Sequence, residues 1–219
     1  KKKILIIKKK YNLIFDLDGV LIDSKDNMHA SWKKVQKIHN LYHIDFEDYF
    51  KHIGRPFFEI LKILGIKKNL EKIKKTYQIE SSKEKNKIKF YKNAINTLIN
   101  LKNKKFVLSI VTSKDTIRTK KFLGKYYKLF KYIECDNKKT QGKPNPNKIN
   151  KIIKKTKFNK SQSVYIGDTR VDYLTAKNAK IDFIYAKWGY GKNLNYKYKC
   201  EKVQNLIAFL NFWISLKLN

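Results

Sequence analysis

The chain is poor in the residues that staple or punctuate small folds. Only two cysteines, Cys135 and Cys200, occur in 219 residues. They share no paired spacing, so neither a disulfide framework nor a thiolate zinc site organises the protein. Long apolar runs are also missing. The longest, such as Ile4–Ile7 and Leu206–Leu210, fall far short of the roughly 18–20 residues that span a bilayer. The four apolar residues behind the basic start are too few for a signal-peptide core of about 7–15. The expectation is a soluble protein of a reducing, cytoplasmic setting with no membrane partner. What is present excludes wholesale disorder: 42% hydrophobic and 14% aromatic residues. The length suits one sizeable core with a small insertion.

Arginine is scarce too, and this tempers the formal net charge of +33. Among 51 basic residues only Arg55, Arg118 and Arg170 are arginines. Phosphate and base recognition favour the planar arginine fork. The lysines form no tail or stripe, and Lys, Asn, Ile, Tyr and Phe make up 122 residues. All five have AT-rich codons, so coding bias explains the charge better than a nucleic-acid partner does. The charge should still attract anionic substrates and oppose self-association, so a monomer is expected.

Short apolar runs at 11–16, 106–111 and 163–167 read as buried strands, with weaker ones at Tyr132–Cys135 and Asp182–Ala186. Helical periodicity separates them, at Ala94–Leu101, around Ile149–Ile153 and at Val203–Ile214. This alternation predicts an α/β fold: a doubly wound, Rossmann-like parallel sheet covered on both faces. Residues 24–88 break the alternation. Met28, Trp32 and Val35 share a helix face before Asn40, Pro56 and Gly65 bracket a second helix, and 69–80 suggest a third. The expected domains are a core of 1–23 and 89–219 and an all-helical insert of 24–88, placed over the strand C-termini.

Chemistry gathers at strand ends. Asp16 and Asp18 follow the first strand, and residues i and i+2 on an extended chain point the same way. Asp168 and Asp172 follow the 163–167 strand. Four of only 18 acidic residues at two strand ends form an oxygen-rich set suited to Mg²⁺. The histidines at 29, 39, 43 and 52 show no transition-metal spacing. Thr112 and Ser113 follow the 106–111 strand, where hydroxyls and N–H groups at a helix start would bind a phosphoryl oxygen. Lys143 sits in Gly142-Lys143-Pro144-Asn145-Pro146, a stiff loop that holds one cation in place.

In combination these ordered motifs resemble the haloacid dehalogenase superfamily, over residues 11 to about 192. The insert resembles the small cap of phosphoglycolate-phosphatase-like members, and Trp188-Gly189-Tyr190-Gly191 is similar to that subgroup. The resemblance implies a Mg²⁺-dependent phosphatase acting on a small phosphomonoester, a phosphorylated metabolite. Asp16 would attack phosphorus, and Asp18 would serve as acid and then base. Thr112 and the Ser113 backbone would bind the phosphoryl group, and Lys143 would neutralise charge. Asp16, the Asp18 carbonyl and Asp168 would hold the metal, supported by Asp172. The presence of Asp18 argues against carbon–halogen cleavage. Phosphosugar mutases of the superfamily resemble the chain at Trp32 but carry His and Arg where it has Met28 and Phe57, with His29 one residue out of register. Arg55, just before Pro56, is a candidate for contacting the rest of the substrate. The competing class is a basic nucleic-acid-binding protein or a phosphatase of nucleic-acid ends. Four carboxylates in the main cleft speak against a polyanion there.

Overall fold

Runs of apolar residues that stop at a polar one become the strands of a single parallel sheet. The computed structural model describes residues 10–137, 141–192 and 194–217; the Ile4–Ile7 run lies outside them. The chain begins with β1 (Asn12–Phe15) and turns through β2 (Ile22–Asp23) into an insert of α1 (Lys25–His39), α2 (Phe46–Phe50), α3 (Phe57–Ile63) and α4 (Leu70–Lys83). It returns through β3 (Lys89–Phe90), which pairs antiparallel with β2. The core then continues as α5 (Ala94–Asn103), β4 (Val107–Asp115), α6 (Thr116–Leu123), β5 (Tyr132–Asp136), α7 (Asn147–Thr156), β6 (Ser163–Gly167), α8 (Arg170–Ala179), β7 (Asp182–Ala186), β8 (Lys199–Cys200) and α9 (Leu206–Ser215).

Strand order is β5-β4-β1-β6-β7-β8, with every adjacent pair parallel. Period-two alternation divides the buried side chains between two faces. Leu13, Phe15, Leu108, Ile110, Val164 and Ile166 meet α5 and α9 on one side. Ile14, Val111 and Tyr165 meet α7 and α8 on the other. The insert packs around its own interior of Met28, Trp32, Val35, Tyr49, Leu61 and Tyr77. No helix among the described residues is long and apolar enough to cross a membrane.

Pro56 brackets α3 as its N-cap, with an extended ψ of 139°. One local reading shifts. β4 runs through Thr112 and Ser113 to Asp115, which pairs with Asp136 of β5 after a register shift. Asp115 then caps α6, accepting from the Arg118 amide at 2.9 Å. Thr112 and Ser113 therefore lie on a strand, and the helix start beyond them presents a carboxylate, which would repel a phosphoryl group.

Candidate active site

With β1 between β4 and β6, the connections reverse direction about the central strand, and the carboxyl ends there form a crevice. Asp16 directly follows β1, Asp168 directly follows β6, and Thr112 lies near the end of β4. The loop between β5 and α7 brings in Lys143. Its side chain is 1% exposed, with Nζ 2.7 Å from Asp16 Oδ1 and 2.7 Å from Asp172 Oδ1. Asp172 is further held by the Tyr165 hydroxyl at 3.0 Å and by the Thr169 amide and hydroxyl at 3.0 and 2.6 Å. Its oxygens are thus committed to orienting Lys143 and the start of α8.

Asp168 is different. Its Oδ2 accepts from the Tyr190 amide at 2.7 Å, while its Oδ1 is buried without a partner. A Cβ at Gly19 would lie 2.2 Å from Asp168 Oδ2, and one at Gly189 would lie 2.3 Å from its Cβ. Only backbone fits on either side of this carboxylate. Asp16, Asp168 and Asp172 each offer an oxygen within 4.8 Å of the others. Burial pushes the Asp16 carboxyl up to about 7, with Lys143 opposing and Asp172 adding to the rise. Burial, then Asp172 and Asp16, raise Asp168 well above the carboxylate range. Burial would lower Lys143, yet Asp16 and Asp172 hold it above the usual lysine value. Crowded carboxylates, one lysine and an orphaned hard oxygen fit a divalent cation such as Mg²⁺.

The Asp18 side chain turns to other partners. Its Oδ1 accepts from the Ser24 hydroxyl at 2.5 Å and pairs with Lys114 Nζ at 3.0 Å. Thr112 is buried beside it, its hydroxyl accepting from the Lys114 amide at 3.1 Å. The Ser113 hydroxyl is spent on the Gly54 carbonyl of the insert at 2.6 Å. A Cβ at Gly142 would lie 2.2 Å from Pro56 Cγ, so the Gly54–Pro56 loop rests on both the β4 end and the Lys143 loop. Between core and insert lies a cavity of about 70 Å³ lined by Asp16, Asp18, Thr112, Ser113 and Lys143 with Met28, Arg55 and Phe57. Arg55 is ion-paired with Glu59 one helical turn on.

Six of the eight sequence-identified residues thus line one cavity, and Asp168 and Asp172 stand directly behind it. Lys114 and Ser24 carry no mark in the sequence, and Arg118 and Tyr190 stand out there without a place in the site. The Tyr190 hydroxyl bonds the Ser24 amide at 2.6 Å, tying the insert's entry to the loop that holds Asp168. Lys114 is hidden among lysines, although its strand spacing from Thr112 places both on one side. Arg118 had a usable signal in being one of three arginines.

The model of the haloacid dehalogenase-like hydrolase family matches residues 13–186. A pyrophosphatase PpaX of Oceanobacillus iheyensis is 24% identical over 206 residues, 90% of this chain and 95% of that protein. A phosphoglycolate phosphatase of Aquifex aeolicus is 27% identical over 197 residues, 82% and 86%. A haloacid dehalogenase-like family hydrolase from Streptococcus pneumoniae superposes with a TM-score of 0.81 at 21% identity, covering 92% of this chain and 98% of that one; this last likeness concerns the fold.

Proposed function

The chain belongs to the haloacid dehalogenase-like hydrolase family, and on that premise we propose a Mg²⁺-dependent phosphatase that acts on a small phosphorylated metabolite through a phosphoenzyme on Asp16. An Asp16 carboxylate oxygen attacks phosphorus while the bond from phosphorus to the leaving oxygen breaks. Asp18 gives that oxygen its proton. Water then attacks the acyl phosphate, Asp18 takes the water's proton, and Asp16 and phosphate are released. The Thr112 hydroxyl and the Ser113 amide hold the phosphoryl oxygens, and Lys143 balances charge between Asp16 and the phosphate. Mg²⁺, when bound, supplies further charge neutralisation. Asp16, Asp168 and the Asp18 carbonyl would hold it, with Asp172 acting through Lys143. Residues 24–88 serve as the cap that excludes water, and Arg55 meets the substrate at its rim.

The observation that carries this function is Lys143, buried and pinned at 2.7 Å between Asp16 and Asp172. The relatives' names suggest pyrophosphate or phosphoglycolate as substrate, each with a second anionic group close to the reacting phosphoryl. Met28 and Phe57 face the cavity, whereas His29 packs on Phe46 with ring centroids 4.7 Å apart, so hydrolysis is favoured over mutase chemistry. The like charge of the exterior and the reduced cysteines suit a cytoplasmic monomer. The test is turnover of p-nitrophenyl phosphate, pyrophosphate and phosphoglycolate with Mg²⁺ and with EDTA. Metal-dependent release of phosphate is expected; full turnover by chelated enzyme would overturn the assignment.

A further inference from the structure

Given the phosphatase function proposed above, on which this rests, we infer that Arg118 is the specificity residue of the site. Its guanidinium receives the second anionic group of a substrate whose leaving group ends in phosphate or carboxylate. The Arg118 side chain is 10% exposed and lines the same cavity as Asp16, Asp18 and Lys143. Its Nε donates to Asp115 Oδ2 at 2.6 Å and its Nη1 to Ser81 Oγ at 3.4 Å. Gln78 Nε2 fixes the same Asp115 oxygen at 3.0 Å, and the guanidinium carbon stands 5.6 Å from the centre of the Tyr77 ring. Nε is therefore locked, while among the described residues Nη2 makes no hydrogen bond. Among the described residues the fully buried polar side-chain atoms without a partner do not include Nη2, so its N–H groups stay open to a ligand or water at the cavity that Arg118 lines.

Contacts at the cavity give the direction. Thr112, Lys114 and Arg118 all line it together with Asp16 and Asp18. Lys114 Nζ is 3.0 Å from Asp18, the residue that protonates the leaving oxygen. The leaving group thus lies on Asp18's side, toward Lys114 and then Arg118. Lys114 is already engaged by Asp18, and of the Arg118 guanidinium Asp115 holds Nε. What Arg118 adds is charge together with Nη2 donors held in a fixed direction, which suits an oxygen of a carboxylate or phosphoryl group. With Tyr49, Phe57 and Tyr77 as further walls, about 70 Å³ suits a leaving group of a few heavy atoms.

The experiment compares Arg118→Met and Arg118→Lys with the wild-type chain, with Mg²⁺, on pyrophosphate, phosphoglycolate and acetyl phosphate. Acetyl phosphate is small and lacks a second anion. For Arg118→Met, kcat/KM should fall about 10- to 100-fold on pyrophosphate, on phosphoglycolate or on both, and less than about threefold on acetyl phosphate. The arm that falls identifies the second group as phosphoryl or carboxylate. Arg118→Lys should recover only part of the loss, since it restores charge without the fork. Methylenediphosphonate or phosphonoacetate, which carry a second phosphoryl and a carboxylate, should in at least one case bind Arg118→Lys about fivefold or more weakly than the wild type, with methylphosphonate unchanged; this decides the matter should Arg118→Met fail to fold. Equal losses on all three substrates, or unchanged affinity for both analogues, would make Arg118 a strut between α6 and α4 and overturn the inference. Wild-type chain inert toward all three would instead overturn the phosphatase function itself.

Discussion

The rim of the core sheet and the interior of the insert are equally buried and opposite in chemistry. At the rim, Asp16, Asp168, Asp172 and Lys143 are almost wholly removed from water. In the insert, Trp32 stacks on Tyr49 with ring centroids 4.5 Å apart among aliphatic and aromatic neighbours. Apolar burial gains roughly 25 cal/mol per Å², whereas burying charges costs desolvation that their pairing only partly returns. The insert interior stabilises the fold; the rim is held in place by it, as a site needing desolvated charge requires.

The hardest test of that contrast is Asp16→Asn. It should abolish steady-state hydrolysis, by about 10⁴-fold or more, while leaving the melting temperature unchanged or higher, because it removes a charge from a crowded cluster. Measurable turnover by a verified, uncontaminated variant would sink the nucleophile assignment.

Lys143→Met and Trp32→Ala should each cost about 3–5 kcal/mol of stability, the first by leaving two carboxylates unpaired, the second by opening a cavity. Added Mg²⁺ should narrow the gap to the wild type in Lys143→Met, whereas in Trp32→Ala, whose carboxylate cluster is intact, it should raise the melting temperature by the wild-type increment and leave the gap unchanged. Equal rescue in thermal melts would erase the distinction between the two regions.

A smaller effect concerns pH. The folded-state pKa of Asp16 is raised to about 7 from 3.8, and that of Asp168 is raised in the same direction. Groups shifted this way contribute stability at low pH that is lost as pH climbs from about 4 through 7. Mg²⁺ should therefore raise the melting temperature more at pH 8 than at pH 5. The same increment at both values would show that the cation does not meet these carboxylates. Smallest of all, Arg55→Ala should lower kcat/KM for the natural substrate about 3- to 10-fold, because Glu59 already holds part of its charge. An unchanged value would leave Arg55 a surface residue.

Much of this was legible in the sequence because strand ends announce themselves: an apolar run that stops at Asp16, or at Asp168, is a strand delivering a carboxylate. The α1 face of Met28, Trp32 and Val35 and the stop at Asn40, with its φ of 54°, were equally plain. Short elements were not. Five-residue α2 is too brief for helical periodicity, and two-residue β2, β3 and β8 exist only by pairing with distant partners. Ser113 reads as a phosphate ligand from its neighbours, yet its hydroxyl belongs to Gly54, a contact 59 residues away in the chain. Lys114 is chemically ordinary until Asp18 stands 3.0 Å from it.

The lysines have a kinetic consequence that the site geometry does not express. Among the described residues only Lys114, Lys143 and Lys148 are buried, so the rest clothe the molecule in one sign while its acidic centre carries the other. An exterior of this kind hastens arriving anions and retards arriving cations. Substrate capture should therefore quicken as ionic strength falls and the screening length exceeds roughly 8 Å, whereas a divalent cation, if seated behind that shell, would exchange slowly. The traffic of the two charged species through one entrance is set by the coat as much as by the pocket.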